Sequence, residues 1–187
     1  MQGTLGAVQN TRAMTWDTLW SSTDADAETD AWSTPDDLFE TLHAEFDFTL
    51  DACATSQNAK LPVYIDKEKD ALKVRWKTHD YHHRAIWCNP PYGRGMDQWL
   101  AKAWEACRDG ATVVVLIFAR TDTQWWSEYA TKATEWRFVR GRLKFYKPGT
   151  KEVEHAAPAP SVVLVFRPSC EKRKLRVSMV DRKGNPI

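Results

Sequence analysis

One stretch limits the fold of this chain more than any other: residues 112–119, from Thr112 through Val113, Val114, Val115, Leu116, Ile117 and Phe118 to Ala119, are almost continuously apolar. A strand with one face in water alternates apolar and polar side chains, whereas an unbroken run belongs to a strand covered on both faces, as in a sheet with helices above and below. The run follows a helical pattern, Met96, Trp99, Leu100, Ala103, Trp104 and Cys107, that stops at Asp109-Gly110. Arg84 to Cys88 and Ser161 to Arg167 read as further short buried strands. Strand and helix alternate, which predicts an α/β fold built on an open, mostly parallel sheet flanked by helices.

Other elements are read from local signals. Ser33 or Thr34 offers a capping hydroxyl to a helix with Pro35 in its first turn, Asp36 and Asp37 at its positive end, Leu38, Phe39 and Leu42 on its apolar face and an end near Glu45. Phe46 to Ala54 alternates loosely as a strand with Asp51 near its carboxyl end. Short strands are expected at Val63 to Ile65 and near Asp70 to Leu72, a helix over Thr123 to Lys132, and short strands at Arg137 to Val139 and Leu143 to Tyr146. No internal repeat is present.

Residues 1–28 are rich in Thr, Ser, Asp and Ala with little periodicity and read as a flexible acidic N-terminal arm. The folded domain is expected over 29–168 and a basic C-terminal extension over 169–187. Net charge is only +1, but Met1 to Asp30 holds one basic residue against five acids, and Arg167 to Ile187 holds seven basic residues against two. Such a concentration of positive charge can hold phosphates; a solvated tail is the plainer alternative. No apolar run reaches the ~18 residues of a membrane span, and the first thirty residues lack the layout of a signal peptide, so the cytoplasm of a bacterial host cell is the expected location. Cys53, Cys88, Cys107 and Cys170 are widely spaced without metal-ligand spacing, and His79, His82 and His83 read as a polar loop, so no metal site is expected.

The most specific chemical feature is Asn89-Pro90-Pro91-Tyr92 directly after a buried strand. In open α/β sheets ligands bind beyond the carboxyl ends of strands, and a rigid Pro-Pro turn there holds polar atoms in a cleft. An exocyclic amine of adenine is a poor nucleophile because its lone pair is delocalised into the ring. The Asn89 side-chain oxygen and the Pro90 carbonyl would accept both amine protons and favour the localised lone pair, which is stabilisation by fixed dipoles rather than base catalysis. Tyr92 would stack on a base extruded from its helix.

Trp32-Ser33-Thr34-Pro35, Phe48 to Ala54, Asp70-Ala71-Leu72, Asn89 to Tyr92, Arg120 to Trp126 and Gly141 to Phe145 follow one another in an order that resembles the phage-type DNA N6-adenine methyltransferases, over roughly Trp32 to Phe166. The resemblance implies a Rossmann-like, S-adenosylmethionine-dependent methyltransferase domain acting on DNA. It implies cofactor contacts from Thr34 and Pro35 and from Asp51, Ala52, Cys53 and Ala54, and it places Asn89 to Tyr92 in the catalytic motif. Phe145 matches an aromatic residue packed against the flipped base. The first motif lacks the usual glycines. For the acid that holds the ribose, Asp66, Glu68 and Asp70 compete and Asp70 is favoured, with a turn cap as its alternative role. Arg120, Thr121 and Asp122 follow the longest buried strand and are candidate DNA contacts, while Arg140, Arg142 and Lys144 flank a glycine on an expected loop, which suits phosphate contacts; a helix cap and a surface turn are the respective alternatives. RNA adenine, a protein glutamine amide, or a catalytically silent nucleic-acid-binding module remain rival readings.

Overall fold

A computed structural model describes residues 32–76, 85–93, 95–147, 149–168 and 174–187. The expected N-terminal arm, the histidine loop and Cys170 lie outside the described residues. The elements in chain order are α1 (Asp36–Phe46), β1 (Leu50–Asp51), β2 (Ala85–Cys88), α2 (Met96–Arg108), β3 (Thr112–Phe118), α3 (Gln124–Glu128), a 3-10 turn (Ala130–Lys132), β4 (Glu135–Val139), β5 (Lys144–Tyr146), β6 (Val153–Ala156), β7 (Ser161–Phe166) and β8 (Arg176–Val180).

Six strands form one sheet in the order β1-β2-β3-β7-β4-β8. β1, β2 and β3 are parallel, β7 runs antiparallel between β3 and β4, and β8 is parallel to β4, so β7 alone is reversed. β5 and β6 pair antiparallel in a separate small sheet. The apolar run at Thr112 is buried on both faces as its composition requires. Val113, Val115 and Ile117 pack with Trp99, Leu100, Ala103 and Cys107 of α2 and Trp126 of α3. Val114, Leu116 and Phe118 pack with Leu38, Phe39 and Leu42 of α1 and with Phe145 of β5.

Several local expectations are corrected. No side chain among the described residues caps α1: Pro35 takes the cap position, and Ser33 pairs with Tyr146 through both backbone groups, at 3.0 Å each. β1 is shorter than the alternation predicts because Asp47 turns left-handed at φ 53° to close α1. Instead of a full strand, residues 63–65 lie along β1, with Asp51 N–H on the Val63 carbonyl at 3.0 Å and Ile65 N–H on the Asp51 carbonyl at 2.9 Å. Asp70 to Leu72 is a turn rather than a strand. The helix expected over Thr123 to Lys132 breaks at Tyr129, where the Ala130 carbonyl accepts a 2.8 Å bond from the Trp136 indole. The C-terminal segment expected as an extension supplies β8 on the sheet edge, with Val180 buried, so this part of it is a strand and not a tail.

At the amino edge of the sheet, Glu135 lies between Arg137 and Arg167, and Arg137 also grips Glu45 at the end of α1. Both guanidinium groups lie over the Phe46 ring, at 5.2 and 5.0 Å. Burial alone would raise the Glu135 carboxyl, but the two arginines outweigh it and hold it below its ordinary value.

Candidate active site

Because β1, β2 and β3 are parallel, their carboxyl ends open on one edge of the sheet, and the residues that follow them meet there. Asn89 follows β2. Its side-chain nitrogen donates to the Trp32 carbonyl at 3.3 Å, and its oxygen accepts the Tyr92 hydroxyl at 2.7 Å. The two bonds fix which face of the amide is the acceptor. Burial holds the Tyr92 hydroxyl well above the usual tyrosine range, so it stays protonated and remains a donor.

Tyr92 stacks on Phe118, the last residue of β3, with ring centres 4.0 Å apart and planes 16° apart. Phe145 meets Tyr92 at a tilt, 5.6 Å away, and stacks on Trp32 at the same separation. Its side chain is only 1 % exposed, which corrects the expectation of direct base or DNA contact: Phe145 supports Tyr92 from behind. Sequence reasoning missed Phe118; the signal was its position as the last large side chain of the apolar run. The Trp32 indole N–H, buried beside this cluster, has no acceptor among the described residues.

A cavity of about 460 Å³ opens beside Tyr92, lined also by Met96, Phe118, Arg120, Trp125 and Pro158. Pro90 and Pro91 are buried, and Gly93 is exposed at the rim. Thr121 and Asp122 are exposed in the turn after β3, where Thr123 Oγ1 donates to the Arg120 carbonyl at 2.7 Å. Thr123 takes the N-cap position of α3, but its hydroxyl is engaged in that turn bond and no side chain among the described residues caps the helix.

Asp51 pairs in register with Trp87, two residues before Asn89. Its carboxylate is 2 % exposed and turned inward, accepting the backbone N–H groups of Cys53 at 3.3 Å and Lys60 at 3.0 Å. The carboxyl is pushed up to about 7 by burial, against the lowering effect of those two amides. Cys88 lies close enough that burial and the Asp51 charge together raise its thiol. Asp51 thus organises the loop from Ala52 to Lys60, and Ala52, Cys53 and Ala54 are buried along it. Thr34 and Pro35 are buried next to Trp32, on the strap that meets Asn89.

Asp70 is buried and already engaged. It is left-handed at φ 52°, accepts the Leu72 N–H at 3.1 Å and pairs with Lys73 at 2.8 Å. The turn cap is its observed role. Asp66 is partly exposed and directly follows residues 63–65, the segment lying along β1. Arg142 and Lys144 are exposed on the loop and strand after β4. Among the described residues no group of three or more His, Cys, Asp or Glu side chains is placed to hold a metal ion, and no helix is long and apolar enough to cross a membrane.

A family model described as DNA N-6-adenine-methyltransferase (Dam) matches residues 21–185. No curated protein matches the chain.

Proposed function

The chain belongs to the DNA N-6-adenine-methyltransferase (Dam) family and is an adenine-specific DNA methyltransferase, and from that premise we propose that S-adenosylmethionine is its methyl donor and that Asn89 to Tyr92 hold the exocyclic amine for transfer. The family does not favour RNA adenine, a glutamine amide or a catalytically silent module.

The observation that carries this reading is the Asn89 carboxamide at the carboxyl end of β2, pinned through its nitrogen to Trp32 and through its oxygen to Tyr92. A carboxamide oxygen has two acceptor sites, so with the Tyr92 hydroxyl on one, the other is available to an amine proton. The Pro90 carbonyl accepts the second proton. Fixed in this way, the amine nitrogen would turn its lone pair outward, the fixed dipoles would stabilise the positive charge that develops on it, and the methylated nitrogen would then release one of its protons to solvent, so no added base is required for the attack. The cavity beside Tyr92 gives an extruded base room outside the stack.

The residues around β1 fit a nucleoside sulfonium in their chemistry. Small side chains at Ala52, Cys53 and Ala54 let backbone come close to a ligand, Thr34 and Pro35 border the same edge, and Asp66 presents a carboxylate suited to ribose hydroxyls. Asp66 is preferred to Asp70 in this role because it is partly exposed and, although its Oδ1 accepts the Lys69 N–H at 3.0 Å, its carboxylate has no ion-pair partner among the described residues; Asp51 contributes by shaping the loop. When bound, S-adenosylmethionine supplies an electrophilic methyl group. The single reversed strand in an otherwise parallel sheet supports a Rossmann-like methyltransferase domain over 29–168, with β8 added at its edge. Arg120, Thr121, Asp122, Arg142 and Lys144 are exposed on or near this edge and are proposed DNA contacts.

The test is Asn89→Ala. Methylation of an adenine-containing duplex should fall below detection while calorimetric binding of S-adenosylhomocysteine stays within about threefold of the unmodified protein. A variant that keeps most of its turnover removes Asn89 from the chemistry; loss of cofactor-product binding along with activity would place Asn89 in the cofactor site instead.

A further inference from the structure

We propose that the groove of about 630 Å³ between the start of α1, the turn after β4 and the turn after β8 is the platform that grips phosphates of the DNA strand flanking the target adenine. The proposal rests on the DNA-methyltransferase reading and names a surface for its substrate. Four cations line the groove: Arg140, Lys144, Arg182 and Lys183.

Strand polarity brings them together. β4 and β8 are parallel to each other and run in the same direction as β2, since β4 and β3 are both antiparallel to β7. Arg140 follows the carboxyl end of β4, and Arg182 and Lys183 follow that of β8, so all three emerge on the edge that carries Asn89. Without β8 the basic end of the chain would have no fixed relation to the catalytic turn.

β5 links the groove to the site by its alternation. Lys144 and Tyr146 line the groove, while Phe145 between them points into the core against Tyr92. A backbone phosphate held at Lys144 therefore lies one strand's thickness from the aromatic support of the catalytic tyrosine.

The platform is preorganised. Asp181 Oδ1 accepts the N–H groups of Lys183 at 2.8 Å and Asn185 at 3.0 Å, closing the turn that carries Arg182 and Lys183. Gly184 in this turn lies against α1: a Cβ there would sit 3.1 Å from Leu38 Cδ1. The Arg182 stem passes over Gly141, 3.7 Å from where a Cβ would stand.

The charges are also available. Among the described residues none of the four cations forms an ion pair, whereas Lys60, Arg137 and Arg167 are each committed to carboxylates. Of the two acids in the groove, Asp181 is turned to the amides of its own turn, with Lys183 acting on it through space but not as an ion pair, and Asp37 accepts the Leu38 N–H at 2.9 Å. Four cations on a rigid surface beside a catalytic turn match the repeating anionic charge of a nucleic-acid strand.

The experiment is a salt titration of DNA binding by the full chain, using a fluorescein-labelled duplex and anisotropy. Each phosphate contact contributes about 0.9 to the slope of log affinity against log salt. Arg182→Gln with Lys183→Gln should make that slope shallower by nearly two and weaken binding on the order of fiftyfold at ~0.1 M salt. Arg140→Gln, which reaches the same groove from β4, should remove about one more. The comparison is Lys174→Gln with Arg176→Gln, an equal loss of charge at the amino edge of the sheet, which should change affinity by less than about threefold. Circular dichroism melting of each variant separates a folding defect from lost contacts. An unchanged slope in the Arg182 and Lys183 variant, or an equal loss from Lys174 and Arg176, overturns the proposal. Detection of N6-methyladenine made by the unmodified protein is scored separately, so failure of the activity is told apart from failure of the groove.

Discussion

Replacing Tyr92 with phenylalanine separates the two functions that the structure gives this side chain. The hydroxyl donates to the Asn89 oxygen at 2.7 Å, and the ring stacks on Phe118 at 4.0 Å. Tyr92→Phe keeps the stack and removes the bond that orients the carboxamide, leaving Asn89 held by its 3.3 Å bond to Trp32 alone. A neutral hydrogen bond at a partly exposed site contributes about 1 kcal/mol, and expressed in the transition state that is about a fivefold fall in kcat/KM. Tyr92→Leu removes the ring as well, and the lost aromatic contact adds ~1 to 3 kcal/mol, for a total fall of roughly thirty- to a thousandfold. Transfer of a radiolabelled methyl group to an adenine-containing oligonucleotide, followed under steady-state conditions, measures both, with thermal melts to confirm that each variant is folded. Tyr92→Phe at full activity would refute the orienting role of the hydroxyl. Equal damage from the two substitutions would refute the role of the ring.

Three further outcomes are expected. Asp51 is raised from an ordinary value of 3.8 to about 7, so the folded protein binds a proton that the unfolded chain has lost; stability should fall as pH rises from about 4 through 7, by at most about 4 kcal/mol (roughly three units at 1.36 each), and then level off. Urea midpoints from pH 5 to 8 should show this component in the unmodified protein and not in Asp51→Asn, and a midpoint difference between the two that is constant over that range would contradict it. Arg137→Ala leaves the Glu135 carboxylate, 7 % exposed, with Arg167 alone; because the other partner, Glu45, is 43 % exposed, a loss of about 2 to 3 kcal/mol is expected, near the low end for buried pairs, read as a lower Tm by scanning calorimetry. Gly184→Ala places a Cβ at φ +88° and 3.1 Å from Leu38, and should cost about 1 to 2 kcal/mol in a urea titration; an unchanged midpoint would mean that the turn is not seated on α1.

Much of the site was legible because its signals are local. Asn89-Pro90-Pro91-Tyr92 is contiguous, and the strand before it needs only its own side chains to be recognised. The helix at Met96–Arg108 is legible from spacing because its apolar stripe is unbroken and Gly110 turns the chain at φ +97°. The run at Thr112 predicted cover on both faces, and α1 and α2 provide it.

Other features depend on contacts between distant residues. β8 carries Arg176, Ser178 and an exposed Val177 and Met179, a pattern too weak to read as a strand until β4 supplies its hydrogen-bonding partner. Asp51, Asp66 and Asp70 look alike in sequence as possible ligands for a cofactor. Folding separates them, because Asp51 is held by the amides of its loop and Asp70 is buried with its turn on one oxygen and Lys73 on the other, while Asp66, whose Oδ1 accepts the Lys69 N–H at 3.0 Å, stays partly exposed and forms no ion pair among the described residues. The family resemblance implies that Phe145 faces a base, yet alternation on β5 turns it inward. The sequence by itself determined the chemistry, since a carboxamide and a carbonyl on a rigid turn are specified by adjacent residues. Only the tertiary structure decided which charges accompany that chemistry, because the direction of β4 and β8, set by long-range backbone pairing, brings Arg140, Arg182 and Lys183 to the edge where Asn89 lies.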